Sequence, residues 1–127
     1  MHFNKDKKFD IQLESAEIQE KKIAEIFTSR SIKIEVKSES HLWAKTGNIA
    51  IEYENYGKKS GIASTEADWW CHQLLEADGK TTKALLMFPV DELKRIARKY
   101  LNTSNDKVGG DNTASKMVVI PLKELFK

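Results

Sequence analysis

The chain has 127 residues, of which 40% are hydrophobic, a size and composition that suit one compact domain, 1–127, with one core. Its 21 Lys and Arg against 19 Asp and Glu leave a net charge of +2, too close to balance to mark a nucleic-acid binder, so any such surface must come from local arrangement. A single cysteine, Cys71, excludes an internal disulfide, and beside Trp69 and Trp70 it reads as a small core residue. The polar N-terminus lacks a signal-like apolar stretch and no apolar run approaches ~18 residues; a cytoplasmic protein without a membrane span is expected.

Leu13 to Ser29 reads as a helix with Leu13, Ala16, Ile23, Ala24, Ile26 and Phe27 largely on one side, and Ser15 as its cap. Strands are expected at 32–38 and 48–55, joined by a polar loop that holds His41, Trp43 and Lys45. Asn55-Tyr56-Gly57-Lys58-Lys59 is a turn signal, and Ser60 to Ser64 would form a third strand, completing an antiparallel meander. Thr65 would cap a helix from Glu66 to about Glu76, ended by Asp78-Gly79-Lys80. Lys83 to Val90 suits a buried strand and Asp91 to Leu101 an amphipathic helix; 102–115, with Gly109-Gly110, suits a long loop. Met117 to Ile120 is a last strand, and Leu122 to Phe126 a terminal turn. The alternation describes an α/β (α+β) arrangement, a small sheet flanked by helices.

Two-residue periodicity puts Ile32, Ile34 and Val36 on one side of the first strand, and Lys33, Glu35 and Lys37 on the other. Ile49, Ile51 and Tyr53 likewise oppose Ala50, Glu52 and Glu54. If the two strands pair with apolar faces together, Glu35, Glu52, Glu54 and Lys37 gather on one patch. Carboxylates beside an ammonium suit Mg2+-dependent phosphodiester chemistry, because hard oxygens hold the cation while lysine positions water and offsets phosphate charge. The same four residues could equally form solvated cross-strand ion pairs, worth about 0.2–1 kcal/mol each.

Glu35-Val36-Lys37, the stretch Thr46 to Glu54, Gly57-Lys58-Lys59-Ser60-Gly61-Ile62 and Ala67-Asp68-Trp69-Trp70 together resemble a small phage-type branch of the PD-(D/E)XK nuclease superfamily, over roughly residues 10 to 90. The resemblance implies a restriction-endonuclease-like core of helix, three-stranded meander, helix and strand, with a mixed central sheet. It also implies a Mg2+- or Mn2+-dependent DNA hydrolase with Glu35 and Glu52 on the metal, Glu54 beside them, and Lys37 orienting water. Glu20, with Glu17 and Glu25 as competitors, would add a first-helix carboxylate. The order departs from the superfamily's usual one, since the second acid follows Glu-x-Lys and is a Glu.

DNA contacts are expected from Lys45, Lys58 and Lys59 near the hairpin, from Trp43 by stacking, and from Arg95 and Arg98 beside Lys94 on the later helix. Trp43 could equally pack on a sheet edge. Cleavage of two strands would call for a homodimer. No Cys/His cluster has zinc-ligand spacing, and no Gly-x-x-x-x-Gly-Lys motif suggests a nucleotide cofactor. The alternative is a non-catalytic nucleic-acid-binding or protein-interaction domain.

Overall fold

The computed structural model describes residues 7–109 and 114–127, with side chains from residue 13 onward. It divides into two units, Met1–Ile32 and Lys33–Lys127. Among the described residues no helix is long and apolar enough to cross a membrane.

The first unit is a helix, α1 (Lys7–Thr28), which begins earlier than the apolar stripe alone indicates. Its last turn is closed by the Thr28 hydroxyl, which donates to the Ala24 carbonyl at 3.0 Å. Glu20 is exposed on it, as are Leu13, Ile23 and Phe27.

The second unit is mixed α and β. In order it comprises β1 (Ile34–Glu39), α2 (Leu42–Thr46), β2 (Asn48–Asn55), β3 (Lys58–Lys59), a 3-10 turn (Gly61–Ala63), β4 (Trp69–Leu75) and β5 (Thr82–Pro89). There follow α3 (Val90–Arg98), β6 (Asp106–Gly109), β7 (Ser115–Pro121) and a final 3-10 turn (Leu122–Glu124). The strands make two sheets, β1-β4-β5 and β3-β2-β7-β6, rather than one mixed sheet.

Four expectations are corrected. The strands at 32–38 and 48–55 do not pair: β1 lies parallel to β4, and β2 lies antiparallel to β7 and β3. Within the helix expected at 66–76, residues 69–75 form a strand, because Trp70, His72 and Leu74 alternate onto one buried face. Asp68 accepts the Lys33 backbone N–H at 2.8 Å and clamps β1 to β4. Asp78-Gly79 is accordingly a hairpin turn between β4 and β5, its Asp78 carboxylate taking the Lys80 and Thr81 N–H groups at 2.9 and 2.8 Å. Finally, 60–64 is no strand, since Gly61 adopts φ +50° and opens a 3-10 turn.

Other elements stand where periodicity puts them. Tyr56 and Gly57 both have positive φ, 50° and 76°, as the tight β2–β3 hairpin turn requires of its two central residues. The loop expected at 102–115 contributes β6, while Gly110 of the Gly109-Gly110 pair lies outside the described residues.

One core serves both sheets and α3. Ile49 and Ile51 of β2, opposite Ile120 and Val118 of β7, are fully buried with Leu93 of α3. Each such side chain contributes about 1.5–3 kcal/mol relative to exposure. Trp70, Leu74 and Phe88 extend the same cluster from β4 and β5. Cys71 is buried in the middle strand of the three-stranded sheet, and burial pushes its thiol pKa up.

Candidate nucleic-acid interface and the polar centre

The parallel register sets Glu35 opposite Trp70 and Lys37 opposite His72, so the polar residues of β1 share the core-facing side, while Val36 on the other side is 58% exposed. This inverts the expected faces. It is tolerated because β1 is a sheet edge, where a long side chain can turn its head group to water; the Glu35 and Lys37 side chains remain 38% and 49% exposed. They form a loose pair, Nζ to Oε1, at 3.9 Å.

Glu52 and Glu54 belong to the other sheet, so strand pairing does not unite them with Glu35 and Lys37. The Glu52 carboxylate accepts the Ser60 hydroxyl at 3.1 Å, and Glu54 pairs with Lys116 across β2–β7 at 3.2 Å, next to a bulge that sets Tyr53 off register. Among the described residues no three His, Cys, Asp or Glu side chains are grouped to hold a metal ion. The expected ligand set is thus divided, with Glu35 on the three-stranded sheet and Glu52 and Glu54 on the four-stranded one.

One carboxylate that strand-face reasoning passed over has an unusual position. Glu39, at the end of β1, accepts at a single oxygen both the Ala50 backbone N–H of β2, at 2.9 Å, and His72 Nε2, at 2.8 Å. His72 is buried, and its Nδ1 accepts the Trp70 indole N–H at 3.1 Å, so Nε2 carries the hydrogen that Glu39 receives. Glu39 thereby bonds to both sheets. With the network in place, no buried side-chain nitrogen or oxygen among the described residues lacks a partner. The alternation Trp70-x-His72 would have signalled it once 69–75 was read as a strand.

The basic residues are sorted by the fold. Lys59 of β3 and Lys94 and Arg98 of α3, distant in sequence, line one cleft of about 360 Å3. Helical spacing explains the second pair, since Lys94, Ala97, Arg98 and Leu101 follow the i, i+3, i+4, i+7 stripe. Arg95 lies off that stripe and forms a two-pronged pair with Glu92, which raises the arginine's pKa and lowers the glutamate's. Lys58 is exposed beside Lys59 but does not line the cleft, as strand alternation dictates. Lys45 is on α2, in a separate hollow with Trp43 and Lys83. Trp43 takes the packing role, its indole N–H donating to the Leu75 carbonyl at 2.7 Å and its ring lying against the core.

The cleft floor is apolar, formed by Ile62, Ala97 and Val118, and among the described residues no carboxylate lines it. Among the described residues, Lys59, Lys94 and Arg98 have no carboxylate within ion-pair distance, unlike Lys37, Arg95, Lys116 and Lys127. Tyr53 forms part of the wall, its hydroxyl donating to Asp106 at 2.6 Å. That bond, with partial burial, pushes the phenol up to about 12, and Asp106 is lowered by the Asn102 N–H and by the same hydroxyl. The arrangement presents three cations outside any close ion pair around an apolar hollow, which suits an anion that carries an apolar body. Comparison of the chain with protein-family profiles, curated proteins and solved structures found no match.

Proposed function

We propose that the 33–127 unit is a nucleic-acid-binding domain that grips phosphates at the cleft between β3 and α3. The observation that carries this reading is the convergence of Lys59, Lys94 and Arg98 on one cleft, with no acidic partner within ion-pair distance among the described residues. Unneutralised cations hold counter-anions that a polyanion displaces, and the released ions drive binding even where net charge is only +2. Three phosphate contacts correspond to a log–log salt slope of about 2.7 on duplex DNA and about 2 on single strands. The test is affinity against salt for the wild type and for the Lys59→Ala/Lys94→Ala/Arg98→Ala variant, in chelator. The variant's slope should be shallower by about two; equal slopes would place the phosphates elsewhere and sink the reading.

The resemblance to PD-(D/E)XK nucleases supports a second reading, DNA phosphodiester hydrolysis, and one observation favours it: Glu35 and Lys37 share a strand face at 3.9 Å with both head groups open to water. There the lysine would neutralise phosphate charge, and a homodimer would supply two such sites. Plasmid nicking in Mg2+ or Mn2+ that disappears in Lys37→Ala would establish it; nicking unchanged in that variant would return the pair to a surface ion pair.

A further inference from the structure

The cleft carries more than charge, and its apolar floor bears on which form of nucleic acid it takes. We infer that it accommodates one unpaired nucleotide, so that the domain selects single-stranded over duplex nucleic acid, an inference that rests on the binding function proposed above. In a duplex the bases are stacked and paired inside and only the backbone is presented outward, so a duplex could meet Lys59, Lys94 and Arg98 but would leave the hollow behind them unfilled. A splayed nucleotide can satisfy both halves, with phosphate oxygens on the three cations and the base in the hollow beside Tyr53, Ala63 and Leu101, which keep exposed surface there while Ile62, Ala97 and Val118 are buried beneath. The space of about 360 Å3 lies in the range of small-ligand sites and is too small for more than a nucleotide or so. Tyr53 adds an aromatic wall whose position is set by its hydroxyl bond to Asp106, so its ring need not be ordered when the base arrives. Leu101, partly exposed at one turn beyond Arg98, closes the stripe and extends the apolar contact.

The experiment compares three fluorescent probes on the full chain in chelator: a single-stranded 12-mer, the matching duplex, and a 12-mer of equal charge whose central nucleotides are abasic. The single strand should bind about tenfold tighter than either of the others, the loss of base contact accounting for the difference. Leu101→Ser should weaken the normal single strand severalfold more than it weakens the duplex or the abasic strand, whereas Arg98→Ala should weaken all three by a similar factor; equal weakening of all three by Leu101→Ser would count against base contact. Equal affinity for all three probes in the wild type would overturn the inference while leaving phosphate binding intact. Binding of none would overturn the proposed function itself. If adenosine monophosphate at micromolar concentration displaced the strand, the ligand would be a free nucleotide, and the strand-selection inference would fall.

Discussion

Removing the Glu39 carboxylate tests the polar centre most directly. In Glu39→Ala two donors lose the same acceptor: the ring N–H of His72, which is 2% exposed, and the backbone N–H of Ala50 in the second sheet. A hydrogen bond to a charged acceptor contributes about 1.5–3 kcal/mol, and a buried donor left unpaired costs about 1–3 kcal/mol. The alanine also opens space at the rim that water can enter, which returns part of the loss to Ala50, so a net destabilisation of about 3–4 kcal/mol is expected. Spread over a unit of this size, that corresponds to a melting temperature lower by about 12–30 °C. Glu39→Gln keeps an acceptor oxygen and should lose about 1–2 kcal/mol, the charge-assisted part only. Urea unfolding of both variants and of His72→Ala, combined as a double-mutant cycle, isolates the pair, and its coupling should exceed about 1 kcal/mol. A Glu39→Ala protein within ~0.5 kcal/mol of wild type would refute the claim that this one oxygen holds both sheets.

Gly61→Ala should destabilise the fold by more than about 3 kcal/mol, because a Cβ would collide with the Glu52 carbonyl, lying 2.9 Å from its carbon, at φ +50°; chemical denaturation reads it, and a change below 1 kcal/mol would contradict the close approach. Tyr53→Phe should cost about 1–2 kcal/mol at neutral pH. The phenol's folded value, about 12, lies above its ordinary 10.0, so its contribution is complete below pH 10 and is lost as pH rises to 12. The wild-type advantage over Tyr53→Phe should therefore shrink across that window, and an advantage unchanged at pH 12 would rule out the Asp106 bond as its source. On the acid side, Asp106 is held below its ordinary value, so its contribution is present above about pH 4 and is lost as pH falls.

What was legible in the chain was local. The alternation of Ile49, Ile51 and Tyr53, the run before Pro89, the helical stripe through Leu93, Ile96 and Ala97, and Val118 with Ile120 all mark elements that the structure contains. Partnership was not legible, because a strand's neighbour is chosen by contacts far away in sequence: β1 pairs with β4, some 35 residues on, and the intervening β2 joins another sheet. The helix expected at 66–76 failed on a related ambiguity. Thr65 and Asp68 are as good at opening a helix as at turning a chain into a strand, and here the Thr65 hydroxyl takes the Ala67 N–H while Asp68 reaches Lys33. For the same reason the acidic patch expected of Glu35, Glu52 and Glu54 is divided between two sheets. Lys59, Lys94 and Arg98 meet because a hairpin and a helix border one hollow, a proximity that their separate places in the chain do not signal.

The lone thiol has a use as an internal clock. Cys71 stands in the strand flanked on both sides by β1 and β5, and is 6% exposed, so a thiol reagent can reach it fully only when that sheet opens or the reagent finds the sparse access that remains. With no second cysteine in the chain, the rate of modification is a single-site signal that needs no engineered label. Where closing outpaces modification, that rate reports the equilibrium population of open molecules rather than the rate of opening. Measured in Asp68→Ala and Glu39→Ala, it would order the Asp68 clamp and the Glu39 anchor by how much each contributes to keeping the edge strand β1 in place.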